Sequence, residues 1–422
     1  MYQKTTLDNG VRIITSEMPH TRSATVMLYY GVGSRYEQKL FGGGSHFIEH
    51  LVFKGTEKRP LPQQISEAIE GVGGDLNAST GLELTNYYAK VPSNHFSTAL
   101  EVLTDMMDRP LFKEDDVERE RQVIIEEINA TLDTPSDLVG ELFGLEFWGD
   151  QPVGRPVGGT RASVGAITRD DLLAYLKLQY VPTNCVVSVA GNVQHEEVVQ
   201  QVAAIFGDYP RVEHAGPPAT GPLPRDRRAL VYNKETEQAN VLIGLPGLSY
   251  HDPDRYKLDV LSTVLGSGMS SRLFVELREN QGLCYSVGSY THKLSDSGMF
   301  GLYGGMDVTR AQESVTAVLK ELGKLKRERV GEQELTKAKE YMKGGFVLGL
   351  ESTDGVASWL AGQEMRHGEI IDADEAMSRI DAVTSDDLHE MANRYFTSDG
   401  LCLAVIGPYK DNDEFLNLLE ID

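Results

Sequence analysis

Apolar positions along this chain follow two different periods. They recur every three to four residues over 62–71, 95–108, 114–131, 196–207 and 311–327, the spacing of helices that bury one face. Runs rich in β-branched and aromatic residues occupy 24–31, 84–91, 185–190, 240–245 and 298–305, and these predict strands. Near the start, LDNGVRII sets Asn9-Gly10 between two such runs, a hairpin signature. Helical and extended segments are mixed without strict alternation. The pattern predicts an α+β fold, with mixed or largely antiparallel sheets and helices packed on one face.

One stretch fits neither period. YPRVEHAGPPATGPLPRD, residues 209–226, carries Pro210, Pro217, Pro218, Pro222 and Pro224. Proline at that density removes backbone donors and blocks helix, so the stretch reads as a linker. On either side a pattern recurs. Thr168-Arg169-Asp170-Asp171-Leu172 opens a helix that leads to VVSVAGNV, and Thr384-Ser385-Asp386-Asp387-Leu388 opens one that leads to LCLAVIGPY. Each threonine is a good helix N-cap, and the aspartates suit the positive end of the helix dipole. The offset is 216, and Gly191 and Gly407 repeat it. These coincidences predict two homologous domains, 1–208 and 227–422.

Composition narrows the class. Of 422 residues, 41% are hydrophobic and 24% charged, as in ordinary globular chains. No apolar run reaches the roughly 18 residues that cross a bilayer. The first residues lack the basic flank and apolar core of a signal peptide, so cytoplasmic location and no membrane partner are expected. Cys185, Cys284 and Cys402 are far apart and form no CxxC; they predict small buried hydrophobes in a reducing compartment. A net charge of −23 opposes phosphate-backbone contacts and argues against nucleic acid. It serves solubility, or lines an acidic cavity that attracts basic peptides.

The candidate chemistry sits in His46-Phe47-Ile48-Glu49-His50. Positions four apart differ by about 40° around a helix, so both imidazoles project from one face and can hold one zinc ion. Glu49, at the edge of that face, can reach a water held there. A catalytic zinc needs a third protein ligand, and ERERQVIIEEINATLD (118–133) offers Glu120 and Glu127, seven apart and within about 20° of one face. One can bind while the other steadies a ligand. A merely charged helix exterior is the alternative reading of the same residues.

H-x-x-E-H is the inverzincin signature. With LDNGVRII, GGGSHFIEHLVFKGT, GGDLNASTGLELTNYYAKV, ERQVIIEE and LGSGMSSRLFVELRENQGLCYSVGSY, the chain resembles the pitrilysin family of zinc metallopeptidases. The likeness is to its half-length branch, related to the mitochondrial processing peptidase beta subunit and its bacterial homologues. The resemblance implies one zinc ion per chain held by His46, His50 and Glu127, with Glu120 supporting a ligand and Glu49 as general base. Glu126, about 100° away from the Glu120 face, is excluded. It further implies that Asn77 and Ala78 lie on an edge strand that binds substrate backbone. Arg278 and Tyr285 reach a catalytic site, Arg278 binding substrate backbone and Tyr285 donating to the oxyanion. Asp137 and Glu141 read a basic substrate residue. Full-length relatives have four such domains in a closing clam-shell, and this chain has two. The implied assembly is a homodimer in which Arg278 and Tyr285 act in trans, cleaving unfolded, basic or leader-like peptides. A non-catalytic scaffold or partner subunit is the alternative that the family also contains.

Overall fold

The N-terminal alternation forms an antiparallel pair, β1 (Gln3–Thr6) with β2 (Arg12–Glu17), in a computed structural model that describes residues 2–422. Between them Gly10 takes φ +99°, and the Asn9 amide donates to the Phe206 carbonyl while its oxygen accepts from Val11 N–H. The strands expected at 24–31, 84–91, 185–190, 240–245 and 298–305 form within two residues of those ends, and further strands, β7 and β9 among them, join them. They are β3 (Ser23–Tyr30), β4 (Asp75–Thr80), β5 (Thr85–Pro92) and β6 (Cys185–Gly191), then β7 (Arg228–Asn233), β8 (Gln238–Pro246), β9 (Cys284–Lys293), β10 (Gly298–Asp307) and β11 (Cys402–Gly407).

Two sheets result. The first runs β1-β2-β6-β3-β5-β4, the second β7-β11-β8-β10-β9. Without β1 the two are the same design. The runs β6-β3-β5-β4 and β11-β8-β10-β9 are antiparallel throughout, and the last strand of each half pairs in parallel with the first. The repeated helix start is equally literal. Thr168 caps α7 and Thr384 caps α14, each exchanging hydrogen bonds with the aspartate three residues on. A duplicated α+β architecture is therefore visible in pairing, register and caps.

The helices of the first half are α1 (Gly44–Val52), α2 (Pro62–Glu70), α3 (Phe96–Asp108), α4 (Glu114–Asp133), α5 (Pro135–Trp148), α6 (Arg161–Ala166), α7 (Arg169–Gln179) and α8 (His195–Phe206). The second half adds α9 (Arg255–Gly266), one π-helical turn (Phe274–Asn280), α10 (Ala311–Arg327), α11 (Glu332–Gly349), α12 (Thr353–His367), α13 (Ala373–Asp381) and α14 (Ser385–Tyr395).

The compact units are not the linear halves on either side of 209–226. One unit comprises residues to Asn129, Arg155–Pro218 and Val347–Ile370; the other comprises Ala130–Gly154, Ala219–Phe346 and Ile371–Asp422. Each sheet thus carries its main helix layer on one face and, on the other, a helix from the opposite half of the chain. In the first unit Ile13, Val26 and Leu28 join the core under α1 and α3. Their sequence neighbours Ile14, Met27 and Tyr29 point the other way, onto Ala357, Leu360 and Ala361 of α12. In the second unit α5 lies along β11 and β8, where a Cβ on Gly244 would stand 2.4 Å from the Phe143 ring. Strands with both faces apolar need two covers. The segment 210–225 has no helix or strand. Its Pro218 carbonyl accepts from the buried Arg35 guanidinium in the first unit, and Thr220 is held by Asp296 in the second. Among the described residues no helix is long and apolar enough to cross a membrane.

Candidate metal centre

The start of α1 is decided by two glycines and an acid. Gly43 takes φ +92° immediately before the helix, a conformation that other residues enter at a cost. At Gly44 a Cβ would stand 2.0 Å from the Phe41 ring. The Glu37 carboxylate, 4% exposed, accepts from the backbone N–H groups of Gly43 and Ser45, both at 2.7 Å. It satisfies donors that a helix N-terminus leaves open. Burial pushes the Glu37 carboxyl up to about 7, against the pull of those N–H bonds. Phe47, Ile48, Leu51 and Val52 then bury one side of α1, which leaves His46, Glu49 and His50 partly exposed on the other.

Those side chains meet α4. His46 Nε2 and His50 Nε2 are 3.3 Å apart, and Glu127 Oε2 is 3.7 Å from the first and 3.5 Å from the second. Two ligand atoms bound tetrahedrally to zinc at its usual bond lengths of roughly 2.0–2.2 Å are about 3.3–3.6 Å apart. The triangle has that size. Its donors, two imidazoles and a carboxylate, are a zinc set, and three protein ligands leave a fourth position open. Among the described residues this is the group of three His, Cys, Asp or Glu donors that can hold one ion. Glu127 is half exposed.

Surrounding groups hold the donors in a usable state. His50 Nδ1 lies 3.2 Å from Glu120 Oε2. A carboxylate there accepts the Nδ1 proton and leaves the Nε2 lone pair for the metal. Glu120, its side chain 4% exposed, has its other oxygen 2.9 Å from Lys54 Nζ. Burial, and then the neighbouring His50, push His46 down to about 4, so its imidazole is neutral at pH 7 and free to donate a lone pair. His46 Nδ1 is buried without a hydrogen-bond partner. Burial raises the Glu49 carboxyl, opposed by Thr80 and His50 and reinforced by Glu127. Its Oε2 is buried and unpartnered, which suits a group that exchanges a proton. Glu126 lies outside the cluster, accepting from the Asn129 amide at 3.3 Å.

Asn77 and Ala78 lie on β4, the edge of the first sheet and the strand beside α1. Asn77 Oδ1 accepts from Ala78 N–H at 2.8 Å. Arg278, Tyr285, Asp137 and Glu141 belong to the second unit and are not part of the histidine cluster. There the Arg278 guanidinium, on the π-helical turn, donates to the Tyr285 carbonyl at 2.7 Å and covers the Tyr285 ring at 5.0 Å. Tyr285 is 68% exposed and so no core residue. Asp137 is exposed on α5, and Glu141, one turn on, is half-buried; burial and the Asp137 charge raise its carboxyl.

Sequence reasoning passed over Lys54, Glu37 and Thr80. A signal existed for Lys54, which continues the four-residue stripe of His46 and His50. Glu37 acts through a loop and carries no periodic mark, and Thr80 reaches Glu49 only because β4 passes beside α1.

Comparison with known proteins agrees with this geometry. A family model described as insulinase (peptidase family M16) matches residues 12–161, and one described as peptidase M16 inactive domain matches residues 166–342. A zinc protease of Streptomyces coelicolor is 41% identical over 97% of this chain and 90% of its own length. The zinc protease YmxG of Bacillus subtilis is 38% identical over 97% of this chain and 98% of its own. The crystal structure of a protease from Helicobacter pylori superposes with a TM-score of 0.90 at 26% identity, covering 97% of this chain and all of that one. With its histidine pair and carboxylate in place and relatives matching it from end to end, this chain belongs to peptidase family M16, among its short zinc-protease members.

Proposed function

We propose that the chain is a zinc-dependent endopeptidase that cleaves unfolded or leader-like peptides inside a chamber formed by two copies of itself. The triangle of His46, His50 and Glu127, closed to within 3.3–3.7 Å, carries this reading. A zinc ion held there supplies Lewis acidity, polarising a peptide carbonyl and making water more acidic. Glu49 takes the proton from the attacking water and returns it to the leaving amine. Glu120 and His50 keep one ligand in a fixed tautomer. The β4 edge, with Asn77 and Ala78, holds an extended peptide by main-chain hydrogen bonds, which tolerate varied sequences. Arg278 and Tyr285 act across the dimer, the arginine on substrate backbone and the phenol as donor to the developing oxyanion. Asp137 and Glu141 form a like-charged pair that a basic substrate residue relieves.

The test measures zinc content and cleavage of a quenched, unstructured peptide, with and without chelator. One zinc per chain, lost in His50→Ala, and cleavage abolished by chelator are the expected results. A protein that binds zinc yet cleaves no member of a random peptide library, as purified or after concentration into dimer, would be a scaffold instead.

A further inference from the structure

Lys54 lies just beyond α1, two turns past His46 and one past His50, on the stripe that carries both ligands. Its ammonium sits 2.9 Å from Glu120 Oε1, while Glu120 Oε2 faces His50 Nδ1 at 3.2 Å. A continuous chain therefore runs Lys54–Glu120–His50 towards the metal position. We propose that Lys54 is a positioning residue of the zinc site: it holds the Glu120 carboxylate in the orientation that sets His50, and supplies the positive charge that the site lacks. The proposal rests on the zinc reading above.

Two arguments carry it. The first is orientation. A carboxylate with a 4% exposed side chain is costly to bury unless it is paired and hydrogen-bonded. Lys54 is the cation in contact with it, and the contact uses the oxygen that His50 does not. Take the ammonium away, and nothing keeps Oε2 on the imidazole. The second is charge. Glu49, Glu120 and Glu127 gather around one position, a formal −3 if all are ionised. A divalent ion brings +2, and Lys54 brings the remaining +1. Lysine at this position thus balances the loaded site, and an uncharged side chain leaves an excess negative charge in a half-buried setting. The orientation argument predicts weaker zinc binding without Lys54. The excess charge by itself favours a cation and works against that loss, so the expected fall is the orientation effect less this attraction. Groups that orient a metal ligand from outside its coordination typically change affinity 10- to 100-fold when removed.

The experiment is a zinc titration against a chromophoric chelator, using the full chain in five forms: wild type, Lys54→Met, Lys54→Arg, Glu120→Gln and the Lys54→Met/Glu120→Gln double variant. Zinc affinity is expected to fall about tenfold in Lys54→Met and to recover to within about threefold of wild type in Lys54→Arg. In the Glu120→Gln background, removing Lys54 is expected to change nothing further, because its effect passes through that carboxylate. The thermal midpoint of the metal-free protein is expected to fall in Lys54→Met, which leaves Glu120 buried without its cation, and to hold in Lys54→Arg. Wild-type affinity in Lys54→Met, or an undiminished Lys54 effect without Glu120, overturns the proposal. The titration is run well below every midpoint, so that a fall in affinity reports the folded site. A His50→Ala control keeps the two readings apart: if wild type and His50→Ala bind zinc alike, the zinc site itself is misassigned, and Lys54 is not what failed.

Discussion

At the scale of single residues, burial tunes two groups of the site, His46 and Glu49. Glu49 shows this most directly. Its raised carboxyl and unpartnered oxygen belong to a base, while its side chain lies outside the ligand triangle. Glu49→Gln is therefore expected to keep zinc within about twofold of wild type and to lose 10²- to 10⁴-fold in turnover, read by metal analysis and peptide cleavage on one preparation. Zinc lost along with activity would move Glu49 into the ligand set. His46 makes a pH prediction. Its folded value of about 4 lies below the ordinary histidine value of 6.5, so between those pH values the unfolded chain binds the extra proton. Stability of the metal-free protein is then full above about 6.5 and falls as pH drops towards 4. The His46 share is at most about 3 kcal/mol. Urea midpoints at pH 7 and pH 4.5, compared with those of His46→Gln, isolate it. If the two proteins lose stability equally over that range, the burial argument fails.

At the scale of elements, α1 does the positioning, and what holds α1 is Glu37. Its two 2.7 Å bonds to Gly43 and Ser45 tie the helix start to a loop, one residue before His46. A glutamine can accept one of those N–H groups but turns its own amide N–H₂ towards the other. Glu37→Gln is expected to cost about 1–3 kcal/mol and to weaken zinc binding, although it touches neither ligand. Thermal melts with and without zinc read both effects, and an unchanged melt would show that the glycines alone set the helix. The edge strand β4 belongs to this scale too. It presents a sheet edge beside α1, and it is an edge because β4 pairs with β5 and with no other strand.

At the scale of the whole molecule, the duplicated sheets exchange helices. The face formed by Ile14, Met27, Tyr29, Val186 and Ala190 is covered by α12, from far along the chain. A fragment of residues 1–208 leaves that face bare, and a contiguous apolar patch of this kind drives association. Such a fragment is expected to aggregate or bind hydrophobic dyes, and to become monomeric and compact when 347–370 is fused behind residue 218 and 130–154, which packs on the second sheet, is replaced by a flexible polar linker. A soluble, well-folded 1–208 would show that α12 is dispensable. The dimer proposal is tested at the same scale. Glu49→Gln and Arg278→Ala chains, each inactive alone, are expected to regain about a quarter of wild-type activity when unfolded and refolded together, because half the dimers are mixed and each holds one complete site. No recovery in a mixture shown to contain mixed dimers would place Arg278 in the same chain as the site it serves.

Much of this was readable before any coordinates. Periodicity located all five anticipated helices and all five anticipated strands to within a few residues, because those segments bury one face and their apolar spacing records it. The histidine pair was legible because both residues lie on one short helix, where spacing in sequence is direction in space. The 216-residue repeat was legible in its threonine caps and strand-ending glycines. Other features depend on contacts between distant parts of the chain. α12 presents only Ala357, Leu360 and Ala361 to the sheet, too thin a stripe to stand out, and nothing local says which sheet it covers. Glu37 and Thr80 reach the site through a loop and a neighbouring strand. The choice of Glu127 over Glu126 needed a resemblance to other proteins until α4 was set against α1. Local spacing is written along the chain, whereas the meeting of segments is a property of packing, and the catalytic geometry is made where the two coincide.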